Sequence, residues 1–281
     1  MKFYLETNAL RKFNSKFSYY SQNSFTSAFA IVELISGLKK KDFFIRKKVI
    51  ENLFKSNIKI EWKLPHNVIA DAFTLIDFNE QRINDLKSLC TFLINSVTLE
   101  DFENKCNKDN IRYGLKYFEK YNDFFSRHFV KSTIEGNIKI QEIFNEWKEL
   151  NESNKRETLE QLQKDCFILN CSFSILAFAK FFANQIYNGK ANEEQEEDIY
   201  NSYTRQISFF IDAFSFYSVE KMIQGSQPDK NDLKDLYHFV YLRNDSSIQL
   251  LTDDKLLLGI TEKLWKDSPH TKATILVHAD L

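Results

Sequence analysis

Acidic residues that could share one site stand in four short segments far apart along the chain. They are Phe3-Tyr4-Leu5-Glu6-Thr7-Asn8, Ile31-Val32-Glu33-Leu34, Asp235-Leu236-Tyr237-His238 and Leu250-Leu251-Thr252-Asp253-Asp254. In the first and last, the carboxylates lie just beyond an apolar, strand-like run. A carboxylate in that position sits at the mouth of a sheet, where open α/β folds bind ligands. Glu33 and Asp235 fall instead on helically spaced segments. Two strand-end acids and two helical acids can enclose a divalent cation in oxygen ligands. Mg²⁺ and Mn²⁺ prefer carboxylate and water oxygens. Two such ions about 3.5–4 Å apart stabilise both the attacking and the leaving oxygen of phosphodiester hydrolysis. Like charges that close repel one another, so four converging acids resist a purely structural explanation, provided they converge.

The elements that must position these acids are legible at both ends of the chain. Lys2 to Leu5 reads as a strand ending at Glu6. Ser24 looks like the cap of a helix running through Phe25, Ala28, Phe29, Val32, Ile35 and Leu38 to a stop near Gly37. A second helix is expected from Asp42 to about Lys55, with Phe44, Val49, Ile50, Leu53 and Phe54 facing inward. Ile58 to Trp62 alternates as a strand. This strand–helix–helix–strand opening predicts a parallel sheet with helical crossovers. Residues 66–227 show almost only helical periodicity, with helices expected over 67–76, 79–97, 109–133, 137–150, 155–188 and 195–224. After the loop Gly225-Ser226-Gln227-Pro228-Asp229 the α/β grammar resumes: helix 231–243, strand 248–251, helix 255–266 and a last strand 272–278. The expected organisation is residues 1–65 and 228–281 as two parts of one core, interrupted by a helical insertion over 66–227.

Composition narrows the class. The 281 residues suffice for one large or two small domains, and 27 % charged with 43 % hydrophobic residues is ordinary for a soluble globular protein. Only 6 Gly and 3 Pro leave long helices uninterrupted. A net charge of −1 supplies no global field for nucleic acid, which argues against a DNA-coating protein but not against an enzyme with a local basic rim. Cys90, Cys106, Cys166 and Cys171 show no metal-binding spacing and read as reduced thiols of a cytoplasmic protein. No signal peptide is visible at the amino terminus. The apolar stretch from Cys166 to Tyr187 carries Asn170, Lys180 and Gln185, so it reads as a buried helix, and no membrane association is expected. The acidic run Glu193 to Asp198 suits the start of a solvated helix.

The order of the acidic segments resembles the PIN-domain nucleases. In that family a first strand ends in Asp-x-Asn or Asp-Thr-Asn, a helical Glu follows, an Asp opens a late helix and a strand ends in Thr-x-Asp. Glu6 stands at the first acid with Asn8 two residues beyond, and Glu33 stands at the helical Glu within Glu33-Leu34-Ile35-Ser36-Gly37. Asp235 matches the late Asp within Asp-x-x-His, completed by His238, and Thr252 and Asp254 match Thr-x-Asp, leaving Asp253 as a neighbour. The resemblance spans about residues 1–65 and 228–281. It implies a three-layer α/β/α core around a parallel sheet, with Glu6, Glu33, Asp235 and Asp254 as catalytic Mg²⁺ or Mn²⁺ ligands in a metal-dependent endoribonuclease. Family analogy alone extends to a toxin or defence effector. Two features depart from the pattern: Glu6 replaces the usual Asp, and the helical insertion is large. The insertion is a place for a homo-oligomer contact or a regulatory protein. Glu6 keeps open an alternative, a catalytically weakened RNA-binding or protein-interaction module.

Each residue also has a plainer reading. Glu6 could cap the following helix, Glu33 could belong to a buried ion pair, and Asp235 could be an exposed helical acid with Asp232 as its rival. Asp253 or Asp254 could cap the helix starting at Lys255, and His238 could serve as a packing or supporting residue. RNA binding would need cations and stacking groups nearby. Arg11-Lys12, Lys39-Lys40-Lys41, Arg46-Lys47-Lys48 and Tyr19-Tyr20 are the nearest in sequence, each equally readable as a solvated surface.

Overall fold

A computed structural model describes residues 2–75, 80–108, 155–245 and 247–267, together with scattered helical residues between 116 and 146. The expected strand 272–278 lies outside the described residues. The chain is α/β, with four parallel strands in the order β3-β2-β1-β4. They are β1 (Lys2–Leu5), β2 (Ser24–Ser27), β3 (Lys59–Glu61) and β4 (Ile248–Leu251). β1 pairs with β4 from Lys2↔Ile248 to Leu5↔Leu251, and with β2 at Phe3↔Ser24 and Tyr4↔Phe25. The chain therefore steps away from β1 on one side through β2 and β3, and returns about 190 residues later to add β4 on the other. The reversal between β1 and β4 opens a crevice at their carboxyl ends.

The first 35 residues differ from the sequence expectation. Ser24 does not cap a helix. Ser24–Ser27 is the second strand, and Thr26 donates to the Leu5 carbonyl at 2.7 Å. Helix α1 (Thr7–Phe13) and the short helix α2 (Phe17–Tyr20) make the crossover, and α3 (Ala28–Ile35) begins one strand later than expected. Its cap is Ser27, whose Oγ accepts the Ala30 N–H at 3.2 Å. Gly37, at φ +62°, turns the chain towards α4 (Lys40–Lys55). Phe43, Val49, Ile50 and Leu53 form the inner side of α4. Phe44 and Phe54 are exposed, contrary to expectation: Phe43 occupies the inward turn in place of Phe44, and Phe54, in the last turn, meets the Trp62 ring edge-on.

Side chains alternate across the sheet, as the period of two requires. Leu5 and Leu251 face one core, shared with α1, α3, α4 and α6 (Glu80–Ile94). Tyr4, Ile248 and Leu250 face the other, shared with α5 (Pro65–Ala72), α8 (Lys155–Ile186) and α10 (Ser208–Ile223). Helices thus cover both faces, and the helical middle of the chain contributes directly to the sheet's own core. α7 (Leu99–Lys108) follows α6 in sequence. The stretch Gln161–Ile186 of α8 is long and apolar enough to cross a membrane by composition, with 44 % of its most apolar window buried inside the protein.

The helix expected over 195–224 is two helices, α9 (Glu193–Asn201) and α10. The break has a clear use. Ser202 Oγ donates to the Phe73 carbonyl at 2.7 Å, and Thr204 donates through N and Oγ1 to that of Ala72 at 2.8 and 3.0 Å, satisfying the end of α5. The acidic run starts α9 behind a capping box from Asn192 and Gln195. Residues 231–243 are not one α-helix: α11 (Lys230–Asp235) gives way to a tighter 3₁₀ stretch, Leu236–Leu242, before β4. The last described helix is α12 (Lys255–Asp267). None of the four cysteines forms a disulfide, and burial pushes the thiols of Cys90, Cys166 and Cys171 up, Cys166 to about 11 and Cys171 to about 12, so these three are not poised as nucleophiles.

Candidate active site

At the carboxyl ends of β1 and β4 a cleft of about 530 Å³ is lined by Glu6, Glu33, Asp235 and Asp254, together with Asn8 and His238. Each acid arrives from a different element. Glu6 follows β1 directly, and Asp254 lies three residues beyond the end of β4. Glu33 comes from the middle of α3, and Asp235 from the last residue of α11.

Two of the acids also cap helices, as their plainer readings anticipate. Glu6 is buried and accepts the N–H groups of Asn8 at 2.6 Å and Ala9 at 2.9 Å, closing the start of α1. Burial raises its pKa, against the lowering effects of the His238 charge and those two amides. Asp254 Oδ1 accepts from Leu256 and Leu257 at 2.8 and 3.2 Å at the start of α12. Thr252 is buried behind it and accepts the Asp254 N–H at 3.0 Å, so it positions the turn. Asp253 does not line the cleft. It faces outward to Lys12 at 3.7 Å, because the backbone that aims Asp254 inward turns its neighbour away. Asp232, the rival of Asp235, accepts from the Tyr217 hydroxyl outside the cleft.

Glu33 is the best-connected acid. Its Oε2 accepts from Thr7 Oγ1 and from His238 Nε2, the latter at 3.0 Å, and Lys234 Nζ lies 3.8 Å from Oε1. Burial acts to raise its pKa, yet the His238 charge and hydrogen bond, Lys234 and Thr7 bring it below the usual value. His238 is itself buried. Desolvation acts to lower its pKa, but Glu33, Glu6 and Asp235 hold it above the ordinary histidine value. When protonated, the ring donates from both nitrogens; Nδ1 lies 2.7 Å from the Tyr4 hydroxyl. The Tyr4 hydroxyl is also hydrogen-bonded to Ser27 Oγ at 2.8 Å, joining the cleft to the core behind β1.

Asp235 differs from the other three. Among the described residues no hydrogen bond or ion pair engages its carboxylate. Burial pushes it up to about 7, reinforced by Glu33 and Asp254 and opposed by His238 and Lys234. An acid held half-neutral beside two others marks a place where positive charge is wanting. The donors fit Mg²⁺ or Mn²⁺ in type, being carboxylate oxygens with no thiolate among them. Among the described residues no group of three or more His, Cys, Asp or Glu side chains is already arranged to hold an ion.

A basic rim faces the acids: Arg11, Lys39, Lys41, Arg46 and Lys234 line the same cleft. Lys234 was not singled out by sequence, although its place beside Asp235 was a usable signal. Tyr4, Thr7 and Ser27 carried no signal of their own. Lys47 and Lys48 turn away to Glu51, and Tyr19 is exposed elsewhere. Comparison with protein-family models, with curated proteins and with solved structures finds no match.

Proposed function

We propose that this protein is a metal-dependent endoribonuclease with a PIN-like core, its helices forming layers on both faces of the parallel sheet. The observation that carries this reading is the convergence of Glu6, Glu33, Asp235 and Asp254 on one cleft at the switch point between β1 and β4. The segments bearing them span residues 6 to 254 of the chain. A fold has no structural need for four carboxylates from distant segments to line one cleft.

Asp235 and Glu33 would hold Mg²⁺ or Mn²⁺, with Glu6 and Asp254 contributing whatever lone pairs their capping bonds leave open. The ion, when bound, neutralises phosphate oxygens and lowers the pKa of water. The protein's own groups do the rest. His238 orients Glu33 and keeps it ionised, as the outer partner of a ligating carboxylate does. Thr7 fixes the same oxygen from the opposite side. Lys234 lies against Glu33 and balances the acids on the side facing the cleft. The basic rim attracts a polyanion into the cleft even though the whole chain is nearly neutral.

The test is cleavage of an end-labelled RNA by purified protein in Mn²⁺ or Mg²⁺. Asp235→Asn, at a side chain that supports no other group, should abolish it. Cleavage that survives both Asp235→Asn and Glu33→Gln would sink the assignment. One observation favours the second reading, an RNA-binding module with weakened catalysis: both Glu6 oxygens are already committed to α1. RNA binding without cleavage in every divalent ion would favour that reading.

A further inference from the structure

Two guanidinium groups, Arg11 and Arg46, line the cleft together with Lys39 and Lys41. Their surroundings are unequal. Arg46 donates to the Ser36 carbonyl at 2.9 Å, with longer contacts to the carbonyls of Glu33 and Leu34, and lies 3.6 Å from Asp42. It closes the end of α3, and its charge is answered. Arg11 has no such answer. Among the described residues no hydrogen bond or ion pair engages its guanidinium, and its Nε is buried without an acceptor. The Arg46 pKa is lowered by burial and then by the Arg11 charge, so the two cations feel each other.

The local geometry suits an anion. Asn8 and Arg11, three residues apart on α1, both line the cleft, while Ala9, Leu10 and Phe13 point to the core. Lys39 and Lys41, which line the same cleft, flank the start of the 16-residue α4, and no side chain caps that start. Its first amides and macrodipole favour negative charge. Asp42, the acid in the first turn of α4, also lines the cleft, and Arg46 lies 3.6 Å from it. A planar guanidinium with open donors matches two oxygens of a phosphate.

We infer that Arg11, with Lys39, Lys41 and the start of α4, forms a phosphate subsite that seats the phosphate next to the one held at the acids. The inference rests on the reading of the cleft as an RNA site, and it adds a residue that anchors the strand without touching the scissile bond.

The experiment compares wild type, Arg11→Gln and Arg11→Lys in two measurements. The first is binding of a fluorescent single-stranded RNA in EDTA at several salt concentrations. The second is thermal melting with inorganic phosphate against chloride at matched ionic strength. Arg11→Gln should bind RNA roughly tenfold more weakly and lower the salt slope by about 0.7. Arg11→Lys should keep the slope but not the full affinity. Phosphate should raise the melting temperature of wild type and not of Arg11→Gln. The melting temperature of Arg11→Gln without phosphate should equal or exceed that of wild type, because the substitution removes repulsion from Arg46; this excludes misfolding as the cause. RNA binding with unchanged affinity and slope in Arg11→Gln would overturn the subsite and leave the nuclease reading standing. A wild type that responds to phosphate but binds no RNA would overturn the RNA role while keeping an anion site. A wild type that responds to neither would overturn both.

Discussion

Replacing Asp235 by Asn should make the protein more stable at neutral and alkaline pH, while removing its activity. Burial pushes the carboxyl up to about 7 in the folded chain, against 3.8 for an ordinary aspartate. That rise covers roughly three pH units at about 1.36 kcal/mol each, or about 4 kcal/mol for a fully screened-off group. Part of the side chain still meets solvent, so about 2 kcal/mol is the expected cost of ionising it. The sign follows from proton linkage. Below about pH 4 both folded and unfolded chains hold the proton, and the acid costs nothing. As pH rises from there to about 7 the unfolded chain releases it first, so stability falls; above about 7 the whole cost is present. Asparagine carries no such cost. Urea denaturation at about pH 5 and about pH 8 should show Asp235→Asn gaining on wild type with pH, by about 2 kcal/mol at the upper end. Mn²⁺ at about pH 8 should narrow the gap by stabilising wild type preferentially. If Asp235→Asn is the less stable protein at pH 8, or the difference is the same at both pH values, the account of Asp235 as an uncompensated acid fails.

Other substitutions should separate structure from chemistry. Glu33→Gln leaves the His238 imidazolium buried without its partner and should cost about 3 kcal/mol in a denaturation curve, whereas Lys234→Met should cost under about 1 kcal/mol. The Glu33–His238 pair itself is lost as pH falls through the depressed Glu33 pKa, and again as pH rises through the raised His238 pKa, so Glu33→Gln should flatten both limbs of the stability profile. Tyr4→Phe removes the acceptor of the Nδ1 proton and should cost about 1–2 kcal/mol, with the His238 pKa falling in an NMR titration. Glu6→Ala should lose about 1 kcal/mol of capping, while Glu6→Asp should stay within about 0.5 kcal/mol; a larger loss in Glu6→Asp would mean that the longer side chain is needed to reach the amides.

The acids were legible because each stood at the end of an apolar run or on a helically spaced segment, and an acid in such a place is costly unless it has a task. Their partners were not. Tyr4 and Ser27 look like ordinary strand residues, and only the pairing of β1 with β2 puts their hydroxyls 2.8 Å apart. Strand β2 was hidden for a related reason: Ser24-Phe25-Thr26-Ser27 is four residues long and runs straight into the apolar helix Ala28–Ile35, so the helical period swallowed it. The choice of Phe43 over Phe44 on α4 turned on a rotation of about 100° per residue, which adjacent identical side chains cannot reveal. The gap between α9 and α10 depended on distant carbonyls of α5, information that no local window contains.

The side-by-side pairing of β1 with β4 has a consequence for the life of the chain. A ribosome delivers Glu6 and Glu33 first and Asp254 some 220 residues after Glu33. Until Ile248–Leu251 has emerged and docked, one edge of β1 has no neighbour and the cleft has no second wall. Competence therefore comes late in synthesis and all at once. If the cleft cuts RNA as proposed, an unfinished copy is harmless to the message that encodes it.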